Sequence, residues 1–462
     1  MQQIRRQTKR HPAGQRLALL VCLALMLLAA APASEPADAI AAIAAPHRFD
    51  ATRWMAAQLL VPRPFGSLSD EAPSAYVLRY LALTRDIKAL ERQRDVAAAS
   101  NPRQIPAELT QTLETWRQEQ RAMQPYVERI LAAQIRAALV ALEIRSPADR
   151  WTTRMPFFPP ITFRIENPPQ LLVVSPRERI ESLQQIMLVQ ELDLATALSI
   201  EQQVEAMGYS ALVTEIGGFG GTFPTFVAES SSLRWTIETA TEEWFHQYLA
   251  FTPLGGLYVL DLLGFRPDYE IARINETIAG FVASEVATEV LNRYYGGDVS
   301  TPVQTVSNGF DYTAFMRETR VTVDRLLEEG QVEAAEAYME SRRQALVDRG
   351  YAIRKLNQAY FAFHGTYTYG PAAVDPIYEE IKLLRATSPS LSAFVRAASA
   401  LQSREELRRL LDLPAPEQAL LERSPATGTI LSRLFTAPAS VFVGGATWLS
   451  LPSDRARPPT SS

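Results

Sequence analysis

The chain has 462 residues, a net charge of −5 and 47% hydrophobic residues. This length is enough for two or three domains with hydrophobic cores, while the negative charge and the scattered basic residues argue against nucleic-acid binding. The only cysteine is Cys22, so the chain beyond residue 33 cannot form a disulfide, bind a metal through thiolates or use a cysteine nucleophile.

The N-terminal segment has the pattern of an export signal. Residues 1–16 carry five basic residues and no acidic one, and residues 17–33 form an uncharged apolar run. This order is typical of a segment whose basic side stays in the cytoplasm. Two outcomes stay open, namely secretion after cleavage near Ala33 or retention of residues 17–33 as a membrane anchor. Both predict an extracytoplasmic protein of the cell envelope, and the second predicts a transmembrane one.

A helical region is predicted between this leader and residue 150. Residues 34–50 are rich in alanine and proline and are expected to form a linker. Within 51–150, apolar residues recur at spacings of three and four, which predicts long amphipathic helices. We expect a helical hairpin or a small bundle.

The pattern changes near residue 150, where a proline-rich stretch predicts a domain boundary. Residues 161–165 alternate and residues 171–174 are β-like, so both predict short strands. Residues 178–207 are then expected to return to helix and to end near Gly208.

Four glycines lie between two strand-like runs in residues 211–228. Their spacing fits no nucleotide-binding fingerprint, and no lysine followed by serine or threonine comes after them. A hairpin or a bulged edge strand is therefore favoured over a phosphate loop.

Helix is predicted for most of the chain after Glu229, and the C-terminal tail 413–462 is expected to be irregular. The fold class predicted is mainly α with a small β-hairpin or sheet (α+β), in which residues 151–412 form the second domain. The helical segments are expected at 233–250, 254–264, 268–295, 311–328, 331–362 and 374–411.

Candidate catalytic chemistry is concentrated in two of these segments. Glu242 and His246 are four residues apart and share one face of a helix, while Glu243 points about a hundred degrees away. This is the geometry of H-E-x-x-H, in which the outer residues bind zinc and the glutamate activates water. A second acidic element, which contains Glu276, follows about thirty residues later.

Together, E-E-x-x-H-Q-Y-L and N-E-T-x-A-G resemble the gluzincin metallopeptidases over roughly residues 210–370. The stretch 354–360 is similar to bacterial predicted aminopeptidases of that clan. The resemblance implies a zinc ion held by Glu242, His246 and Glu276, with Glu243 as the general base. It also implies a peptide or envelope-protein substrate beside the strand at 218–227. The oxyanion-stabilising residue would be His364 or Tyr367; both are also candidate catalytic residues.

Glu242 departs from the family pattern, which has histidine there. Two carboxylates and one imidazole make a harder ligand set that would also admit Mn²⁺ or Fe²⁺. The departure favours an alternative, a catalytically inactive pseudopeptidase that serves as a binding or scaffold protein in the envelope. A purely helical structural protein is the third interpretation.

Overall fold

Helices make up most of the chain, and two small sheets lie among them. The computed structural model describes residues 35–60, 72–100, 106–147, 157–262, 265–266, 268–297, 310–365 and 376–413. The helices are α1 Glu35–Ala44, α2 Ala51–Leu60, α3 Pro73–Ser100, α4 Ala107–Ala141, α5 Leu194–Glu205, α6 Leu233–Leu249, α7 Pro253–Leu262, α8 Tyr269–Tyr294, α9 Tyr312–Glu328, α10 Val332–Val347, α11 Gln358–His364, α12 Ile377–Thr387, α13 Leu391–Ser399 and α14 Arg404–Leu410. The predicted fold class, mainly α with small sheets, is confirmed at this level.

Each sheet has three strands among the described residues. The strands are β1 Phe163–Ile165, β2 Gln170–Pro176, β3 Gln184–Leu188, β4 Tyr209–Thr214, β5 Gly218–Phe219 and β6 Thr225–Val227. The first sheet is antiparallel in the order β3-β2-β4, and the second has the order β1-β6-β5. In the second sheet, β1 pairs parallel with β6, and β5 and β6 form an antiparallel hairpin. β5 therefore lies at an edge.

One hydrophobic core joins the helices on both sides of residue 150. Apolar side chains of α3 and α4 pack with those of β1, α6, α8 and the last three helices. Val127 and Leu131 of α4, Phe245 of α6 and Val282 of α8 are among its fully buried members. The boundary predicted near residue 150 stays a prediction, but the elements on its two sides share this core.

A network of ion pairs and hydrogen bonds connects the helices α3 and α4 to the segment that precedes α6. Arg117 of α4 bonds Glu229 at 2.6 Å and Glu91 of α3 at 2.7 Å. Gln120 also donates to the Glu229 carboxylate, and Lys88 donates to the Glu229 carbonyl. The start of α6 is thus anchored by the N-terminal helices.

The stretch 354–360 docks α11 against the first sheet. Arg354 and Lys355 both bond Glu201 of α5, which is only 1% exposed. Asn357 caps α11 by accepting from the Tyr360 N–H, and its amide donates to the Ala211 carbonyl of β4. These polar residues therefore have a structural role that the sequence analysis did not assign.

Several predicted elements are wrong in detail. Residues 34–50 are largely ordered rather than a linker, because α1 buries Ile40 and Ala44 against α5 and β3. Residues 178–207 hold the strand β3 and only then the helix α5, because Gln184–Leu188 pairs with β2. The helices predicted at 331–362 and 374–411 are each interrupted.

The transmembrane prediction is wrong for the residues that the structure describes. None of their helices combines the length and the apolar character needed to cross a bilayer. The physical reason is charge, since even the 35-residue helix α4 carries acidic and basic side chains along its length. The apolar run 17–33 and most of the tail 413–462 lie outside the described residues.

Candidate metal centre

Two helices, α6 and α8, carry the three candidate metal ligands. α6 begins after Ser232, whose side chain accepts from the Trp235 N–H, and α8 begins after Asp268, whose carboxylate accepts from the Ile271 N–H. The two helices pack along each other through the hydrophobic core. Capping fixes where each helix starts, and the core fixes how the helices face each other.

Glu242, His246 and Glu276 converge at the contact between these helices. Each offers one ligand atom, and these atoms lie within 4.8 Å of one another. The His246 Nε2 atom is 3.5 Å from Glu276 Oε2, close to the roughly 3.3 Å between two ligands of a tetrahedral ion bound at about 2 Å. The set therefore fits a small divalent cation after a small inward movement of side chains.

Asn275 orients the imidazole of His246. Its Oδ1 lies 2.8 Å from His246 Nδ1, and the side chain is fully buried. A carbonyl oxygen in this position accepts from an Nδ1–H, which leaves Nε2 as the ligand atom. Asn275 lies in the second turn of α8, whose N-cap is Asp268, so its side chain does not cap the helix.

Tyr258 orients the carboxylate of Glu276, and sequence analysis missed it. Its hydroxyl donates to Glu276 Oε1 at 2.7 Å, and its ring centroid is 5.9 Å from that of His246. Tyr258 lies on α7, which approaches the end of α6 closely at Gly255. The glycine pair 255–256 was a visible signal for such an approach.

The centre is largely shielded from solvent, with Glu276 buried and Glu242 and His246 half-buried, and it has an excess of carboxylates. Burial alone would lower the pKa of His246, but Glu276, Glu243 and Glu242 raise it to about 10. Burial would likewise raise the pKa of Glu276, yet His246 and the Tyr258 hydroxyl hold it below its usual value. Without a metal ion, His246 and Glu276 therefore form an ion pair.

The edge strand β5 lies directly against Glu243. A Cβ atom at Gly218 would lie 2.7 Å from Glu243 Cγ and closer still to its carboxylate, and one at Gly220 would lie 2.8 Å from the Glu243 carbonyl oxygen. Glycine is therefore needed at Gly220, where the colliding atom is backbone, whereas a side chain at Gly218 would require the Glu243 side chain to move. Phe219, between them, stacks on Phe226 on the other face. The hairpin prediction holds in part, because β5 and β6 form a hairpin but the strand-like run before the glycines is β4, which pairs with β2 in the other sheet.

Gln247 holds this hairpin on α6. Its side-chain amide donates to the carbonyls of Gly220 and Thr222, at 3.0 and 2.7 Å. The Gly220 N–H bonds the Glu243 carboxylate, but burial dominates and raises the pKa of Glu243 to about 8. Glu243 is thus near enough to the three ligands to interact with them electrostatically, and the hairpin covers one side of it.

Of the two proposed oxyanion residues, His364 is not brought to the ligands. His364 ends α11, where its ring lies 4.2 Å from that of Tyr360, and it is not among the converging side chains. Burial lowers its pKa to about 4. Tyr367 lies outside the described residues, so its role stays a prediction.

Comparison with protein-family models, with curated proteins and with solved structures found no significant match to this chain. Inferences about function therefore rest on the geometry of the centre.

Proposed function

We propose that the protein is a gluzincin-like, metal-dependent peptidase whose ion is held by Glu242, His246 and Glu276. The observation that carries the proposal is the convergence of these three ligand atoms within 4.8 Å. The second support is that two of the ligands have orienting partners, Asn275 and Tyr258. Such partners are typical of functional metal sites.

The charge of the ligand set suits a divalent ion. Two carboxylates and a neutral imidazole carry a charge of −2, which a divalent cation neutralises, and binding would displace the proton from His246. Zn²⁺ fits this set, as do Mn²⁺ and Fe²⁺ because of the two carboxylates. The bound ion would polarise a carbonyl or a water molecule.

The residues around the ligands have roles in the proposed reaction. Glu243 would accept a proton from water and pass it to the leaving amine. The free edge of β5 would pair with an extended peptide, and Gln247 would keep that edge in register with α6.

Metal content is the test of the proposed centre. The protein is dialysed against Zn²⁺ or Mn²⁺ and analysed by elemental mass spectrometry, beside His246→Ala and the matched variant His47→Ala. We expect about one equivalent of metal in the parent and in His47→Ala, and none in His246→Ala. Equal metal in all three proteins would show that the metal binds elsewhere.

Peptide hydrolysis separates an enzyme from a binding protein. We expect Glu243→Gln to keep the metal and to lose hydrolysis of a mixed peptide library by at least about 100-fold. Hydrolysis that continues in both Glu243→Gln and His246→Ala would come from a contaminant, and the peptidase assignment would then be withdrawn.

A catalytically inactive pseudopeptidase is the alternative function. Glu242 in place of histidine favours it, and so does the His246–Glu276 ion pair, which satisfies both groups without a metal. Glu242→His distinguishes the two functions. A gain of both zinc and hydrolysis by this variant, absent from the parent, would assign the parent as a degenerate enzyme.

A further inference from the structure

One face of the second sheet lies against Glu243, and the other face is aromatic. Gly218 of β5 faces Glu243, and because side chains alternate across a strand, Phe219 points to the opposite face. Phe226 of β6 pairs with Phe219, stacks on its ring and is fully buried. The face of the sheet that turns away from the metal centre therefore presents aromatic rings to the element that packs on it.

Helix α2 is the element that packs on this outer face. The centroid of the Trp54 ring lies 4.1 Å from that of Phe226. The Phe223 N–H, in the turn between β5 and β6, bonds the sulfur of Met55 at 3.4 Å, and Met55 is fully buried. α2 thus contacts both β6 and the turn of the hairpin.

The segment before α2 connects this contact to the first sheet. The backbone of residues 47–49 bonds the outer edge of β3, with N–O distances of 2.8 and 2.9 Å. The ring of Phe49 also packs edge-on against Phe226, with centroids 5.9 Å apart. Residues 47–60 therefore form an N-terminal strap that is bonded to the first sheet and packs on the second.

The hairpin beneath the strap holds the side chain of Glu243. The Gly220 N–H bonds the Glu243 carboxylate, and Gln247 bonds the Gly220 carbonyl from α6. The hairpin is thus held by Gln247 on its inner face and by the strap on its outer face. We infer that Trp54 is a positioning residue for Glu243, which acts through Phe226 and the hairpin that supplies the Gly220 N–H. The role of Glu243 in this inference rests on the proposed function.

Amide hydrogen exchange tests the inference without metal or substrate. Protein with isotope-labelled glycine is followed by NMR, and the exchange rate of Gly220 is divided by that of Gly280 in α8. A loss of global stability raises both rates, whereas loosening of the hairpin raises only the first. The variants are Trp54→Ala, Trp54→Phe, which keeps an aromatic ring, and the matched Trp116→Ala, which removes a half-buried tryptophan of α4.

We expect Trp54→Ala to raise this ratio about tenfold, because stacking and apolar burial on Phe226 are lost. Trp54→Phe and Trp116→Ala should keep the ratio within about twofold of the parent. If Trp54→Ala does not fold, Trp54→Leu takes its place, with an expected rise of about threefold. An unchanged ratio in the variant that lacks the ring, or an equal rise in Trp116→Ala, would overturn the inference.

Hydrolysis separates this inference from the proposed function. In zinc-loaded protein, Trp54→Ala should keep its metal and lower kcat about tenfold, because a misplaced base reacts more slowly, and Trp54→Phe should restore kcat. A raised exchange ratio with unchanged kcat would overturn the positioning role. No hydrolysis by the zinc-loaded or manganese-loaded parent would overturn the proposed function, and the exchange ratio would still decide whether Trp54 holds the hairpin on Glu243.

Discussion

Gly255 is the residue at which α7 comes closest to α6. A Cβ atom there would lie 2.6 Å from the Ala250 nitrogen and closer still to the Leu249 carbonyl, whereas a Cβ at Gly256 would meet nothing within 4 Å. Both glycines are helical, so Gly255→Ala and Gly256→Ala gain the same intrinsic helix propensity, roughly 1 kcal/mol. The two variants therefore differ chiefly in whether the new Cβ atom collides with the end of α6.

The size of the collision sets the expected difference in stability. A Cβ needs about 3.4 Å, so α7 would have to move by more than about 1 Å to clear the Leu249 carbonyl, and overpacking of this kind costs about 1–3 kcal/mol. We expect the upper end of this energetic cost, because the new Cβ atom would collide with backbone atoms of α6 and Ala250, which cannot rotate away as a side chain can. We expect Gly256→Ala to raise the free energy of unfolding by up to about 1 kcal/mol and Gly255→Ala to lower it by about 2 kcal/mol.

Urea denaturation followed by circular dichroism measures this difference. If α7 detaches locally without global unfolding, amide hydrogen exchange of residues 253–262 would speed up in Gly255→Ala alone. Because α7 carries Tyr258, the same variant should also bind metal more weakly than Gly256→Ala. Equal denaturation midpoints together with equal exchange rates would refute the close-approach reasoning.

Three other predictions concern the fold and the centre. Glu201→Gln should lower the free energy of unfolding by roughly 1.5–3 kcal/mol, because it removes the buried charge that binds the half-buried Arg354 and Lys355. The more exposed Glu205→Gln should cost less than about 1 kcal/mol, and similar urea midpoints for the two variants would count against the buried ion pair. Asn275→Ala and Tyr258→Phe should each weaken metal binding about 10–100-fold in a chelator competition. An unchanged metal affinity in both variants would contradict the proposal that these residues orient the ligands. The pKa of His364 in the folded protein, about 4, lies below its unfolded value of 6.5, so the unfolded state takes up the proton first and stability falls as the pH drops from about 6.5 to 4. His364→Gln should flatten that part of the stability curve, and an identical pH dependence in parent and variant would contradict the assignment.

The ligand helices could be predicted because their signals are local. Glu242 and His246 are one helical turn apart, and Asn275 and Glu276 lie in a long helical pattern, so spacing alone indicated which side chains share a face. The convergence of the two helices was expected from the resemblance, and the geometry agrees with it. What the centre binds stays a proposal.

Other features of the fold and of the centre depend on contacts between distant residues, which the spacing of residues in the sequence does not reveal. The Tyr258–Glu276 hydrogen bond joins two helices, and no periodicity indicates it. β3 was predicted as part of a helix, but Gln184–Leu188 buries only Ile186 and Leu188, and its strand character comes from pairing with β2. The resemblance implied that His364 lies near the metal as an oxyanion-stabilising residue, yet α11 packs on the first sheet instead.

The parallel pairing of β1 with β6 bears on how the centre forms during folding. The paired residues, such as Phe163 and Thr225, are about sixty positions apart in the chain, and β5 joins the sheet only through β6. Closing so long a loop is slow and cooperative. The strand over Glu243 is thus completed by distant contacts, and a short peptide that carried E-E-x-x-H would lack both this cover and Glu276. The proposed ion site therefore depends on the closed fold rather than on the motif alone.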